Sequence, residues 1–329
     1  VIDVVSFGGG VQSTAIMTLA GEGLIPMPHR WVFSDPGFES QATYTHLERC
    51  TEYIAKKGGR LDLVTAGNIR DDAVAFAQRR QNSDVKRYAS IPMFIDKRDG
   101  TDGILPRQCT SEYKIEPIER YHRREVLGLQ PRQRAPKVPS VNVWIGISSD
   151  ESHRATAPGS WRNETATLGT DLLGDPLMQT RRVWVPCPWQ VKSFPLLGEI
   201  IHPDRRHEPD RRFDACEGWD REDAKNWLER SWPWPVPRSA CICCPYRTNA
   251  EWRDMRDHSP AEFAQAVAFD RDIREAYAAG RLARGELAGV PYLHRTKKPL
   301  DMVDLSVPLN DRKGCGGLFS QEPDGICGV

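Results

Sequence analysis

The sequence predicts an α/β fold, a doubly wound, mostly parallel sheet with helices on both faces, followed by a helical, cysteine-containing C-terminal region. Three observations predict it. Short apolar runs of strand length, IDVVSF at 2–7, WVFS at 31–34 and LDLVTA at 61–66, alternate with longer segments of helical spacing. The first strand gives way to its helix through three consecutive glycines. Hydrophobic side chains make up 39% of the 329 residues, enough for a large core without disulfide staples.

The elements follow in order. IDVVSF is too short for a helix, whereas STAIMTLAGEG has helical spacing and stops at Gly23. After the strand WVFS a polar helix is expected over 40–57, then the strand LDLVTA, then helices over 71–80 and 115–127. A Pro/Arg-rich loop, GLQPRQRAPKVPS, leads into the strand VNVWIGIS at 141–148. Strands separated by helices imply a parallel sheet covered on both faces. Residues 152–237 read as irregular, with one helix near 221–231. Ser259, Pro260 and Glu262 form a capping box with proline at the first helical position, opening a helix to about Ala279. A boundary is expected at 235/236, dividing a nucleotide-binding α/β domain (1–235) from a cysteine-containing helical region and tail (236–329).

Forty-five basic and 45 acidic residues cancel. That argues against a non-specific polyanion binder but leaves room for local patches, such as the pairs Arg181-Arg182 and Arg205-Arg206. No run approaches the roughly 18 apolar residues of a membrane span, so a cytoplasmic chain with no membrane partner is expected. Nine cysteines in such a chain suggest metal or redox chemistry ahead of a disulfide framework. Cys241, Cys243 and Cys244 crowd into ACICCPYR, Cys109 stands in RQCTSEYKIEP, and Cys315 and Cys327 lie in the glycine-rich tail. Cys50, Cys187 and Cys216 show no pattern and read as small buried side chains.

Chemistry begins at SFGGGVQSTA, residues 6–15, where strand passes to helix through glycine. Backbone amides freed by the turn, with the helix N-terminus, make an anion site. No Lys-Ser or Lys-Thr follows, so this is not a Walker A loop, and the spacing is not GxGxxG. GGGVQS, residues 8–13, resembles the SGGxDS signature of PP-loop enzymes, with Gly8 in place of serine and Gln12 in place of aspartate. Further segments stand in that family's order: FSDPGFES (33–40), QCTSEYKIEPI (108–118), WIGISSDESHR (144–154), SACICCPYRTNAEW (239–252) and YLHRTKKPL (292–300). Together they resemble the phosphoadenosine phosphosulfate (PAPS) reductase family, and within it the phage, mobile-element and type IV CRISPR-associated members.

The resemblance implies a site residue by residue. Ser6, Gly8, Gly9, Gly10, Gln12, Ser13 and Thr14 would hold phosphates, and Ser34, Asp35 and Gly37 would line ribose and adenine. Lys114, Arg154 and Arg295 would neutralise the phosphate or sulfate end. Gln12 lacks the charge of the usual aspartate. Cys109, Cys241 and Cys244, with a fourth ligand from Cys243, Cys315 or Cys327, suit a [4Fe-4S] cluster on a C-x-x-C-P run. The alternative is a structural tetrahedral Zn²⁺ site made by the same thiolates. A third reading makes Cys327 a tail thiolate that attacks sulfur.

Three functions are therefore expected in order. The first is an enzyme that takes ATP with Mg²⁺ and acts at the α-phosphate, releasing AMP and pyrophosphate, with a nucleic acid or sulfur carrier as acceptor. The second is a thiol-dependent reductase of PAPS or its unphosphorylated relative APS. The third is a nucleotide-sensing accessory module with little turnover. A homodimeric state is left open.

Overall fold

The computed structural model describes residues 1–79, 91–97, 102–105, 107–170, 176–284 and 289–307. The first half carries β1 (Ile2–Ser6), α1 (Val11–Gly21), β2 (Arg30–Asp35), α2 (Gln41–Lys56), β3 (Leu61–Thr65) and α3 (Ile69–Arg79). Short β4 (Phe94–Lys97) and β5 (Asp102–Ile104) precede α4 (Glu116–Tyr121) and β6 (Val141–Ile145). A hairpin of β7 (Gly159–Thr170) and β8 (Pro176–Pro186) is followed by β9 (Gln190–Phe194), β10 (Glu199–Ile201), β11 (His207–Pro209) and α5 (Arg221–Ser231). The chain then forms α6 (Asn249–His258), α7 (Pro260–Arg284) and β12 (Gly289–Tyr292).

Seven strands make the central sheet in the order β11-β10-β9-β6-β1-β2-β3. β9, β6, β1, β2 and β3 run parallel, and β10 and β11 complete one edge antiparallel. Adjacent residues of one strand serve opposite faces, as the two-residue period requires. Val5, Phe7, Trp31 and Trp144 pack with α1, α2 and α5 on one face. Val4, Val32, Val143 and Ile145 pack with Ile118 and Tyr121 of α4 on the other. The sheet is thus doubly wound. α1 is buried from Gln12 to Ala20, which accounts for its lack of a polar face.

A third core lies against α3. It joins Ile69 and Ala73 of α3, Met93, Leu105 and Tyr113 to Trp252 of α6, Phe269 and Ile273 of α7, and Leu293. Its residues come from both sides of the expected 235/236 boundary. β12, β4 and β5 add a small antiparallel sheet there. Among the described residues no helix is long and apolar enough to cross a membrane.

Two expectations are corrected. The segment read as irregular, 152–237, supplies β7 to β11 besides the expected helix. β9 was hidden because Gln190 and Ser193 are buried polar residues: Ser193 Oγ stands 3.0 Å from Asp210 and 3.1 Å from Asn142, either of which can accept its one proton, and Gln190 contacts His122. Buried polar side chains erase the apolar alternation on which strand detection rests. The helix expected over 115–127 is instead α4 flanked by π-turns at Ser111–Ile115 and His122–Val126. Pro117 has no N–H to give the carbonyl of Tyr113, four residues back. The hydroxyl of Ser34 donates to that carbonyl instead, at 2.5 Å.

Candidate functional site

β1 ends at Ser6 and the chain turns through Gly8, Gly9 and Gly10 before α1. Gly9 takes φ +70°, a conformation that L side chains adopt only with strain. Gly10 is the N-cap of α1, and a Cβ placed on it would meet nothing within 4 Å, so it borders open space. The first bond of α1 runs from Thr14 N to Gly10 O at 3.0 Å, which leaves the amides of Val11, Gln12 and Ser13 ahead of the helical ladder. Ser13 Oγ donates to Gly10 O and accepts from Gly10 N, both at 3.1 Å, fixing the turn.

The strand order sets this loop at a switch point. From β1 the chain steps to β2 and β3 on one side, then returns to build β6 and β9 on the other. In open α/β sheets ligands occupy the crevice at the carboxyl ends of the strands where the order reverses. The loops after β1 and β6 meet there: Gln12 Nε2 donates to Ser148 Oγ at 3.4 Å. Gly146 makes this approach feasible, since a Cβ on it would lie 3.2 Å from Ser13 N and 3.3 Å from Gln12 Cβ. The sequence reading missed Gly146 as a site residue, although a glycine just after the strand VNVWI was the available signal.

The other expected nucleotide contacts are spread more widely. Thr14 is fully buried, and its hydroxyl donates to Gly10 O at 2.8 Å and meets His46 Nε2 at 3.0 Å, so both contacts are internal. Ser6 Oγ is buried without a hydrogen-bond partner among the described residues. Ser34 serves the Tyr113 carbonyl, and Asp35 Oδ1 accepts from Gly37 N at 2.7 Å and from Tyr44 O–H at 3.0 Å. Burial, with the Asp35 charge next, pushes the Tyr44 phenol well above its ordinary range. Arg154 ends the 3₁₀ segment Ser149–Arg154 after β6, where its Nη1 lies 2.5 Å from Oε2 of the buried Glu151. Arg295 follows β12 beside the third core, between the buried Leu293–His294 pair and Thr296.

A second constellation surrounds Lys114. Cys109, Cys241, Cys243 and Cys244 line one pocket together with Lys114 and Arg107. The cysteine loop is docked onto the segment after β2 by Ile242 N donating to Phe38 O at 2.9 Å and by a bridge between Cys241 and Glu39. Glu39 Oε1 receives the Cys241 thiol at 3.7 Å and the Lys114 ammonium at 3.6 Å. Arg247 donates to the carbonyls of Ala240 and Cys241 at 3.0 and 3.1 Å, which tightens the loop. Burial, with Cys109 next, pushes the Cys243 thiol far up. Sequence reading found the cysteines and Lys114 but missed Glu39, whose partners lie far along the chain.

Four thiols on one pocket suit a thiophilic metal by their chemistry. Among the described residues, however, no group of three or more His, Cys, Asp or Glu side chains is arranged to hold an ion. Cys315 and Cys327 lie outside the described residues. Burial raises the thiols of Cys50, Cys187 and Cys216, the latter two to about 11 and about 12. Those three are poor nucleophiles near neutral pH.

Comparison with protein-family models, with curated proteins and with solved structures finds no match to this chain in any of the three.

Proposed function

We propose that this chain is a PP-loop enzyme that binds ATP or a related adenine nucleotide at the Gly8–Thr14 loop and acts at the α-phosphate. The observation that carries this reading is the meeting of the loops after β1 and β6 at the switch point. There a glycine turn, three first-turn amides and the side-chain-free Gly146 adjoin. Amides so oriented stabilise an anion without a charged side chain. The chain has no lysine before Lys56, so nothing in the loop plays the γ-phosphate role of a Walker lysine. The loop would grip the pyrophosphate portion and leave the α-phosphate to an acceptor or water. Arg154 would then stabilise charge that develops during displacement. Mg²⁺ would accompany the nucleotide, but Gln12 offers it no carboxylate. An accessory role in a type IV CRISPR or other mobile-element system follows from the resemblance alone.

The pocket cysteines support a second component. Cys109, Cys241, Cys243 and Cys244 are not arranged here to hold an ion; drawn together, they would hold a [4Fe-4S] cluster or Zn²⁺, supplying electron transfer in the first case and a structural cross-link in the second. The test of the main reading is incubation of the purified chain with ATP and, separately, with PAPS, resolving AMP, ADP, pyrophosphate and sulfite. AMP with pyrophosphate supports the proposal. Sulfite identifies a sulfonucleotide reductase, and affinity without product identifies a sensing module.

A further inference from the structure

The hairpin of β7 and β8 carries a surface that the nucleotide reading leaves unused. Trp161 pairs with Trp184, Asn163 with Arg182 and Thr165 with Thr180. These alternate positions share one face of the ribbon. The two indoles meet edge to face with centroids 5.5 Å apart, and Trp161 is 49% exposed. The Arg182 guanidinium lies 5.5 Å from the Trp161 ring centre. Arg205 arrives from another element, the β10–β11 turn, and stands 5.8 Å from the Trp161 centre and 6.0 Å from that of Trp184. Trp184 anchors the base of the ribbon by donating to Pro203 O at 3.2 Å.

Arg205 holds φ +71°, where glycine or asparagine would sit without strain. The turn closes through Arg205 N to His202 O and His202 N to Arg206 O, both at 2.9 Å. A long cation in that position costs stability, and what it gains is a guanidinium over two rings. The charges on this face point one way. Among these six described positions none is acidic, and Glu164 sits on the opposite face, beside Arg181. A lipid surface would want rings without charged neighbours, yet two guanidiniums stand within 6.0 Å of these ring centres while Trp161 stays half exposed. An acidic peptide would pair with the guanidiniums and leave the ring faces idle.

We infer that this face binds a single strand of nucleic acid, with bases stacked on Trp161 and phosphates held by Arg182 and Arg205. Stacked aromatics with interleaved arginines recognise single strands of either sugar, because every base has a π-face and every linkage a phosphate. Asn163 and the Thr165–Thr180 hydroxyl pair, 3.0 Å apart, extend the face with neutral hydrogen-bonding groups. The inference stands on the ribbon itself and does not depend on the nucleotide site.

The experiment measures anisotropy of labelled oligothymidylate and oligouridylate with the full chain. A duplex, polyglutamate and phosphatidylserine vesicles serve as competitors. Both single strands are expected to bind, or one of them, which then names the sugar. Trp161→Ala should weaken binding about ten- to a hundredfold and Trp161→Phe should retain most of it. Arg182→Ala with Arg205→Ala should lower the slope of log affinity against log salt by about 1.4, the share of two phosphate contacts on a single strand. Circular dichroism of each variant checks the fold, and Arg182→Glu supplies a second route to loss should Trp161→Ala misfold. Unchanged binding by folded variants overturns the inference. So does preferential capture by vesicles, polyglutamate or duplex.

Discussion

The ammonium of Lys114 stands 3.6 Å from a carboxylate oxygen of Glu39, and the Glu39 side chain has no solvent-exposed surface. This pair ties the π-turn before α4 to the segment after β2, beside the pocket that the four cysteines line. Removing one member of a buried pair strands charge, at about 3–5 kcal/mol, whereas removing both together costs much less. Glu39→Leu and Lys114→Met should each lower urea stability by that order, and the double variant should recover most of the loss. Additive single losses would show that the two side chains are not energetically coupled.

The glycines of the loop should separate folding from binding. Gly9→Val places a β-branched residue at φ +70° and should cost roughly 1–2 kcal/mol of stability. Gly10 has extended backbone, and a Cβ on it meets nothing within 4 Å, so Gly10→Val should leave the melting temperature nearly unchanged while abolishing ATP binding by calorimetry. Retained affinity in Gly10→Val would remove the loop from the binding site.

Arg154 should act on rate more than on affinity. We expect AMP as the nucleotide product, with Arg154→Ala lowering kcat by about ten- to a thousandfold at little change in KM, the range for losing one preorganised charge partner. Arg154→Ala also removes a partner of the buried Glu151, so Arg154→Lys, which keeps the charge, is the paired variant. Clean ADP formation, or equal losses in kcat and affinity, would contradict the assigned role.

The cysteine pocket predicts a chromophore or a metal content. Anaerobically purified protein should absorb broadly in the visible and lose that absorbance in Cys241→Ala or Cys244→Ala. Colourless protein with one zinc per chain, lost in the same variants, would assign the pocket to the structural alternative. Metal-free protein indifferent to both substitutions would sink either reading.

Acid should loosen the fold before it reaches the carboxylate range. Burial holds His46, His122 and His294 neutral, each lowered to about 4 from 6.5. The unfolded chain takes up these protons first as pH falls, so the stability is fully present above about 6.5 and is lost progressively between 6.5 and 4. The loss is on the order of 1 kcal/mol per histidine per pH unit. His122→Gln should flatten the fall in melting temperature across that window, and an unaltered slope would exclude His122 as a contributor.

The sequence made legible what is local. The glycine turn, β1 to β3, α2 and α5 follow from neighbouring residues. What stayed hidden depends on partners far along the chain. Nothing near Glu39 announces Lys114, and nothing near Ser34 announces the carbonyl that Pro117 leaves without its helical donor. β9 was concealed by Gln190 and Ser193, polar residues that find their partners only once His122 has come alongside the first and Asn142 and Asp210 the second. The glycine loop was visible at once; its meeting with Gly146 was not.

The strand order also sets a timetable for a chain emerging from the ribosome. β1 finds β2 early, but its other neighbour is β6, and the far wall of the crevice is Gly146. Until that residue has been made, the glycine loop has one flank and no cleft. The third core waits longer, since α3 and Tyr113 must bide until α6, α7 and Leu293 arrive to cover them. Domains are usually finished in the order of synthesis. Here the apolar side of an early helix is left for the last-made part of the described chain to close.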